Sequence, residues 1–242
     1  MRIIARTDPG KVRSSNQDSY AAGEFRNGVA WAVVCDGMGG SVGGNVASST
    51  AVRSISERIT TAYRENMSSS SIRNLLVTAI TNANFEIYDM TTANPELAGM
   101  GTTVVAAIMD EENIYVAHAG DSRAYLVGKQ SIRQLTRDHS VVQKMIENGE
   151  ITEEEALRHP SKNLITRALG VDENLRVDFT EEACGEACML LICTDGLTNY
   201  VSDEEIHKTI LEGRHTDFAS TLVDLANEHG GGDNITVVAV EG

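Results

Sequence analysis

A chain of 242 residues, 41% hydrophobic and 23% charged, is long enough to bury a substantial core and has an ordinary globular composition. Its formal net charge of -15 argues against nucleic acid or an anionic membrane as partner, because phosphate contacts need clustered Lys and Arg, and it suits divalent cations. No apolar run approaches the roughly 18 residues that span a bilayer, and the N-terminus MRIIARTDPGK lacks the apolar region and cleavage pattern of a signal peptide. The chain therefore reads as cytoplasmic, without membrane insertion.

Taken in order, the first strand is WAVVCD, an apolar run that ends at Asp36 and passes into the glycines of GMGG. About 44–64 follows as a helix, with Val46, Ala47, Ala51, Val52, Ile55, Ile59 and Ala62 on one stripe. The serines of 68–71 form a turn ending in an N-cap. Beyond them Ile72, Leu75, Leu76, Ala79, Ile80, Ala83 and Ile87 keep helical spacing in a second long helix. Strands TTVVAAIM (102–109), NIYVAHA (113–119) and SRAYLVG (122–128) come close together with short turns, the signature of antiparallel pairing. Residues 138–175 are polar and read as short helices and loops outside the sheets. CMLLICT (188–194) and NITVVAV (234–240) supply two more strands. Between them Ser202 and Glu205 form a capping box that opens a helix to about Glu212, and a second helix runs from Thr216 to about Asn227. The order does not alternate strand and helix, so antiparallel sheet with helix pairs packed outside is the expected α+β architecture. No linker or solenoid repeat divides the chain.

Three acids share one context. Asp36 ends one apolar strand and Asp195 another, each followed by Gly; Asp233 precedes a third strand and follows Gly230, Gly231 and Gly232. When such strands run antiparallel, an Asp after one and an Asp before the other fall at the same edge. Carboxylates gathered there repel one another unless cations lie between them. Glycine beside each acid allows a sharp turn and brings a carbonyl within reach, and all-oxygen ligation suits Mg²⁺ or Mn²⁺. GMGGSVGG is not a P-loop, because no Gly-Lys-Ser/Thr follows, and it fails the dinucleotide pattern at Val42. HExxH does not occur. Arg13, if it faces the metal edge, offers a planar fork for a phosphate. Asp121 lies at a tight hairpin, where a plain turn with an Asp121–Arg123 contact is the stronger local reading. Cys35 and Cys193 sit in apolar runs as small hydrophobes, and Cys184 and Cys188 lack the histidines of a zinc site.

The motifs RSSNQD, CDGMGG, GTTVVAA, GDSRAY, LTRDHS, LITRALG, CTDGLTNYVSDEEI and GGGDNITVV, in this order, resemble those of bacterial metal-dependent serine/threonine protein phosphatases of type 2C (PPM), and the resemblance spans Arg13 to Val240. The resemblance implies a four-layer αββα sandwich forming one catalytic domain over 1–242, with a mobile flap at about 139–175. It implies two Mn²⁺ or Mg²⁺ ions, with Asp36 bridging them, the Gly37 carbonyl on one, and Asp195 and Asp233 on the other. Asp121, with Asp195, resembles the acid that holds a weaker third ion, Asp18 the residue that bonds metal waters or approaches the ions directly, and Arg13 the phosphate clamp. Two cations about 3.5–4 Å apart share a water and lower its pKa, giving a hydroxide that attacks phosphorus in line without a phospho-enzyme.

The implied substrates are phosphoserine and phosphothreonine in proteins, reversing a cognate Ser/Thr kinase, and the enzyme is expected to be monomeric. Two other readings keep the same residues: a pseudophosphatase that binds phosphopeptides without turnover, and a phosphatase dedicated to an anti-sigma-factor antagonist. Two positions depart from the family pattern. Met38 stands where many members carry a histidine general acid, and Gln17 where many carry a glutamate, which predicts weaker affinity for one metal. His139 is expected to be structural and His118 packed.

Overall fold

The computed structural model describes residues 1–185, 188–213 and 217–242, with the Ser41 side chain also outside the description. One sheet joins β1 (Arg2–Asp8), β11 (Ile235–Glu241), β10 (Met189–Cys193), β7 (Arg123–Val127) and β8 (Ile132–Gln134) in that order. The other joins β2 (Asp18–Glu24), β3 (Ala30–Met38), β5 (Val104–Met109), β6 (Asn113–Ala119) and β9 (Asp178–Ala183), with β4 (Gly101–Thr102) beside the end of β3. Every pairing is antiparallel. Helices α1 (Gly40–Ala62) and α2 (Ser69–Ala93) pack on the second sheet. Helices α6 (Asp203–Gly213) and α7 (Phe218–Glu228) pack on the first. Short helices α3 (Val141–Glu147), α4 (Glu153–Ala156) and α5 (Asp195–Thr198) complete the set.

The strand residues alternate between two apolar layers, which accounts for the four-layer αββα order. In β3, Trp31, Val33 and Cys35 face α1 and α2, while Ala30, Ala32 and Val34 face the other sheet. In β10, Met189, Leu191 and Cys193 face α6 and α7, while Leu190 and Ile192 face inward. Strands buried on both faces read as continuous hydrophobic runs, so they were legible in the sequence. The inward series continues into polar residues at one end of the sandwich. Ala30, Ala32 and Val34 lead to Asp36; Leu190 and Ile192 lead to Thr194; Val240 and Val238 lead back to Thr236.

The expected helices are present with boundaries shifted by a few residues. Ser68 caps α2 by accepting from the Ser71 amide, and Ser202 and Glu205 exchange the two bonds of a capping box before α6. The expected start of the last helix, Thr216, lies outside the described residues; α7 is capped by Asp217. Four strands were not anticipated: β1, β2, β8 and β9. β1, β2, β8 and β9 lie at sheet edges with mixed burial, and so lack the apolar run that marked the central strands. Cys35 and Cys193 are free and buried, whereas Cys184 and Cys188 pair as a disulfide across the β9–β10 connection, a link that the sequence reading did not include. Among the described residues no helix is long and apolar enough to cross a membrane.

Ile80, fully buried between α2 and the sheet, tests this layer. Ile80→Ala is expected to lower unfolding free energy by about 2–5 kcal/mol in urea titration, because the rigid layer leaves a cavity. A loss below about 1 kcal/mol would show that the layer collapses around the change.

Candidate metal centre

Strand register brings the acids together. Asp18 opens β2 directly opposite Asp36 on β3, so both side chains share the face toward the other sheet. The β3 ladder is interrupted at Asp36, whose N–H donates to the Thr103 hydroxyl at 2.9 Å while its carbonyl accepts from the Thr103 N–H and the Thr102 hydroxyl. Asp195 follows β10 at the start of α5, and Asp233 precedes β11; the antiparallel pairing of β10 with β11 sets them at one edge. Asp121 lies in the turn between β6 and β7, after Gly120 at φ 115°.

Asp36, Asp121, Asp195 and Asp233 line one cavity of about 430 Å³, together with Arg13, Gln17, Gly37 and Met38. Asp18 lies beneath it, only 8% exposed. Its Oδ2 accepts from the hydroxyls of Thr194 at 2.9 Å and Thr236 at 2.6 Å. Asp195 Oδ2 accepts from Asn199, and Asp233 Oδ1 from the Asn234 amide. Arg13 donates to Asp233 Oδ2 at 2.9 Å and remains 55% exposed at the cavity mouth.

Two glycines are required by close approach. A Cβ on Gly37 would meet the Gly44 carbonyl oxygen at 2.1 Å, where α1 crosses β3. On Gly196 it would meet the Asn234 carbonyl oxygen at 1.9 Å, where α5 lies against the start of β11. Both backbones can approach the carboxylate cluster only without a side chain.

The electrostatics follow from this crowding. Burial first, then the charges of Asp18 and Asp195, hold the Asp36 carboxyl well above the usual carboxylate range. Burial pushes Asp18 up to about 7 against the pull of its threonine hydroxyls. Burial and Asp195 push Asp121 up to about 8. Asp195 is raised by burial and by Asp233. Asp18 Oδ1 and Asp195 Oδ1 are also buried with no hydrogen-bond partner. Unpaired buried carboxylate oxygens are costly, and an all-oxygen set of this kind is what a hard divalent cation binds. The donor set therefore fits Mg²⁺ or Mn²⁺.

The local reading of Asp121 needs correction. Arg123 does not pair with it; its guanidinium makes a bidentate ion pair with Asp138 and a further bond to Tyr125. Among the described residues Asp121 makes no ion pair, and it faces the cavity. Asn234 was also missed: its Oδ1 accepts from Gln17 N–H, and its Nδ2 donates to the carbonyls of Pro9 and Ser15, which fixes the loop carrying Arg13. Gln17 itself donates to the Gly40 carbonyl at 2.7 Å.

His118, His139 and Asp178 bring ligand-type atoms within 4.8 Å of one another; His118 Nε2 contacts the Arg137 backbone while His118 Nδ1 is buried without a partner, and protein groups engage His139 and Asp178. His139 Nδ1 accepts from the Gly120 amide, which leaves Nε2–H to donate to Asp178. Arg167 and Arg176 pair with the same carboxylate. Two guanidiniums at that acid disfavour a cation, and burial lowers His139 to about 4. The trio braces the Asp121 turn, and neither histidine lines the cavity.

The model of the family described as protein phosphatase 2C matches residues 11–231. The serine/threonine phosphatase stp of Listeria monocytogenes is 41% identical over 246 residues, covering 100% of this chain and 96% of that protein. Protein phosphatase PhpP of Streptococcus pneumoniae is 36% identical, with 99% and 97% covered. Among solved structures, the serine/threonine phosphatase Stp1 of Staphylococcus aureus superposes with a TM-score of 0.93 at 34% identity, covering 99% of this chain and 95% of that one. The catalytic domain of the phosphatase PstP, solved in complex with two manganese ions, gives a TM-score of 0.85 at 33% identity over 98% of this chain and 96% of that one. The chain belongs to the protein phosphatase 2C family.

Proposed function

We propose that this protein hydrolyses phosphoserine and phosphothreonine in proteins at a centre of two Mn²⁺ or Mg²⁺ ions. The observation that carries the reading is the convergence of Asp36, Asp195 and Asp233, from both sheets, on one cavity with Arg13 at its mouth. In this reading Asp36 would serve both ions, the Gly37 carbonyl would serve one of them, and Asp195 and Asp233 would hold the other. Asp121, with Asp195, takes a weaker third ion. Support for these roles comes from the donor chemistry, the mutual repulsion and the orphaned oxygens described above.

When bound, the cations supply Lewis acidity that activates water and neutralises phosphoryl oxygens. The chain does the rest. Arg13, half-exposed beside Asp233, turns its remaining N–H groups to the substrate phosphate and orients it for in-line attack. Asp18, beneath the cavity, orders water at its floor. Met38 lines the cavity and carries no ionisable proton, and no histidine among the described residues lines it, so the departing serine or threonine oxygen takes its proton from water. Gln17 is neutral and turned to Gly40, which favours lower affinity for one ion. Chain 1–242 acts as one catalytic domain, with 139–175 as the flap beside the site. Its substrates are cytoplasmic proteins phosphorylated by a Ser/Thr kinase, and it works as a monomer.

Asp36→Asn and Asp233→Asn are expected to reduce Mn²⁺-dependent release of phosphate from a phosphothreonine peptide to background, with circular dichroism unchanged. Full activity in either variant sinks the two-ion assignment, and silence of the parent protein favours phosphopeptide binding without turnover. Arg13→Ala is expected to raise KM for the same peptide by roughly tenfold, the loss of one charge-assisted contact.

The raised carboxyls give a pH test with a definite sign. A carboxyl whose folded pKa lies above its unfolded value binds more protons folded than unfolded between the two, so stability falls as pH rises through that interval. With Asp18 at about 7 and Asp121 at about 8, metal-free protein should lose Tm from about pH 6.5 to about pH 8. Mn²⁺ should raise Tm more at the upper pH, because binding releases protons. A Tm that rises over this range without metal contradicts the crowded-carboxylate account.

A further inference from the structure

Three threonines stand in one row across the first sheet. Thr7 on β1 is the register partner of Thr236 on β11, and Thr194 follows β10 with its amide bonded to the Thr236 carbonyl. All three continue the face turned toward the second sheet, after Ile3 and Ala5, Val240 and Val238, and Leu190 and Ile192 respectively. Apolar packing thus gives way to a line of hydroxyls opposite Asp18.

The hydrogen bonds of this row have one consistent direction. Thr194 and Thr236 both donate to Asp18 Oδ2, at 2.9 and 2.6 Å. Thr194 Oγ1 accepts from the Thr236 amide at 3.0 Å. With the Thr236 proton committed to Asp18, the 2.8 Å contact between Thr7 and Thr236 has Thr7 as donor. Thr7 in turn accepts from Asn16 Nδ2 at 2.8 Å, and Asn16 Oδ1 accepts from the Asp18 amide at 3.1 Å. The result is a closed ring that begins and ends on Asp18 and crosses from one sheet to the other.

This ring saturates one carboxylate oxygen and leaves the second, Oδ1, buried without a partner, on the strand position facing Asp36. Donors aimed at a single oxygen fix the rotation of the carboxylate. They also tie the sheet that carries Asp36 to the sheet that carries Asp195 and Asp233, at the floor of the cavity between them. We infer that Thr194 and Thr236 are positioning residues: their hydroxyls hold Asp18 with Oδ1 presented to the cation centre and set the span between the two halves of the carboxylate cluster.

The inference rests on the reading of the cavity as a cation centre, and the test separates the two. Mn²⁺ binding to purified full-length protein is titrated by electron paramagnetic resonance at 25 °C, alongside kcat and KM on a phosphothreonine peptide. The variants are Thr194→Val and Thr236→Val, which keep shape and lose the hydroxyl, and Thr194→Ser and Thr236→Ser, which keep it. Each Val variant should weaken one Mn²⁺ site by about tenfold or more and lower kcat while KM stays within about twofold. Each Ser variant should stay close to the parent in both. Val variants that bind Mn²⁺ like the parent, or Ser variants that lose as much as Val, overturn the inference, because a merely structural threonine predicts lower Tm with unchanged metal affinity. If the Val variants do not fold, Thr7→Val serves: it leaves both donors to Asp18 and removes the hydroxyl that donates to Thr236 and accepts from Asn16, so a weakening of about threefold supports the ring and none overturns it. Asp36→Asn is the control for the underlying reading. Loss of Mn²⁺ binding there with normal binding in the Val variants removes the positioning role alone, whereas retained binding removes the cation centre itself.

Discussion

Repulsion among carboxylates confined to one end of a dry layer is the constraint on which the rest of this structure depends. The space between the two sheets is filled by Val, Ala, Leu and Ile along most of its length, then ends in Asp18 and Asp36 facing Thr194 and Thr236. Burying several acids so close together is unfavourable unless positive charge enters among them. Arg13 supplies part of that charge to Asp233 from the edge. The orphaned oxygens of Asp18 and Asp195 mark where the remainder is needed.

The sandwich is suited to hold such a cluster rigidly. Asp36, Asp195 and Asp233 lie at or beside the ends of β3, β10 and β11, whose other residues are locked in apolar layers, so their backbones cannot drift to relieve the repulsion. Glycine next to Asp36 and Asp195 lets α1 and α5 close over the same ends. The segments that build the centre lie far apart in the chain, and only the antiparallel register gathers them. Packing therefore supplies the free energy that the charges spend, and the hydroxyl ring couples the two sheets beside the carboxylates.

Much of this was legible in the residues. WAVVCD, MLLICT and NITVVAV announce strands buried on both faces, and an aspartate set against each is a conspicuous local contradiction between burial and charge. The long helices were legible from their 3.6-residue stripes. What could not be read has a common physical cause: it depends on partners distant in sequence. Edge strands such as β1 carry mixed patterns, and RIIARTD shows neither a clean alternation nor an apolar run. Thr7, Thr194 and Thr236 pass as ordinary β-formers until register sets them side by side. Arg123 looks like the neighbour of Asp121, yet the fold gives it to Asp138, which β8 and the turn after it bring back beside β7. Cys184 and Cys188 carry no signal of pairing beyond their spacing.

The most direct test of the central claim is anomalous X-ray scattering from crystals of the protein grown with Mn²⁺. Two strong peaks within coordination distance of Asp36, one also bounded by Asp195 and Asp233, are the predicted result. Manganese absent from that cavity, or bound instead among His118, His139 and Asp178, contradicts the account.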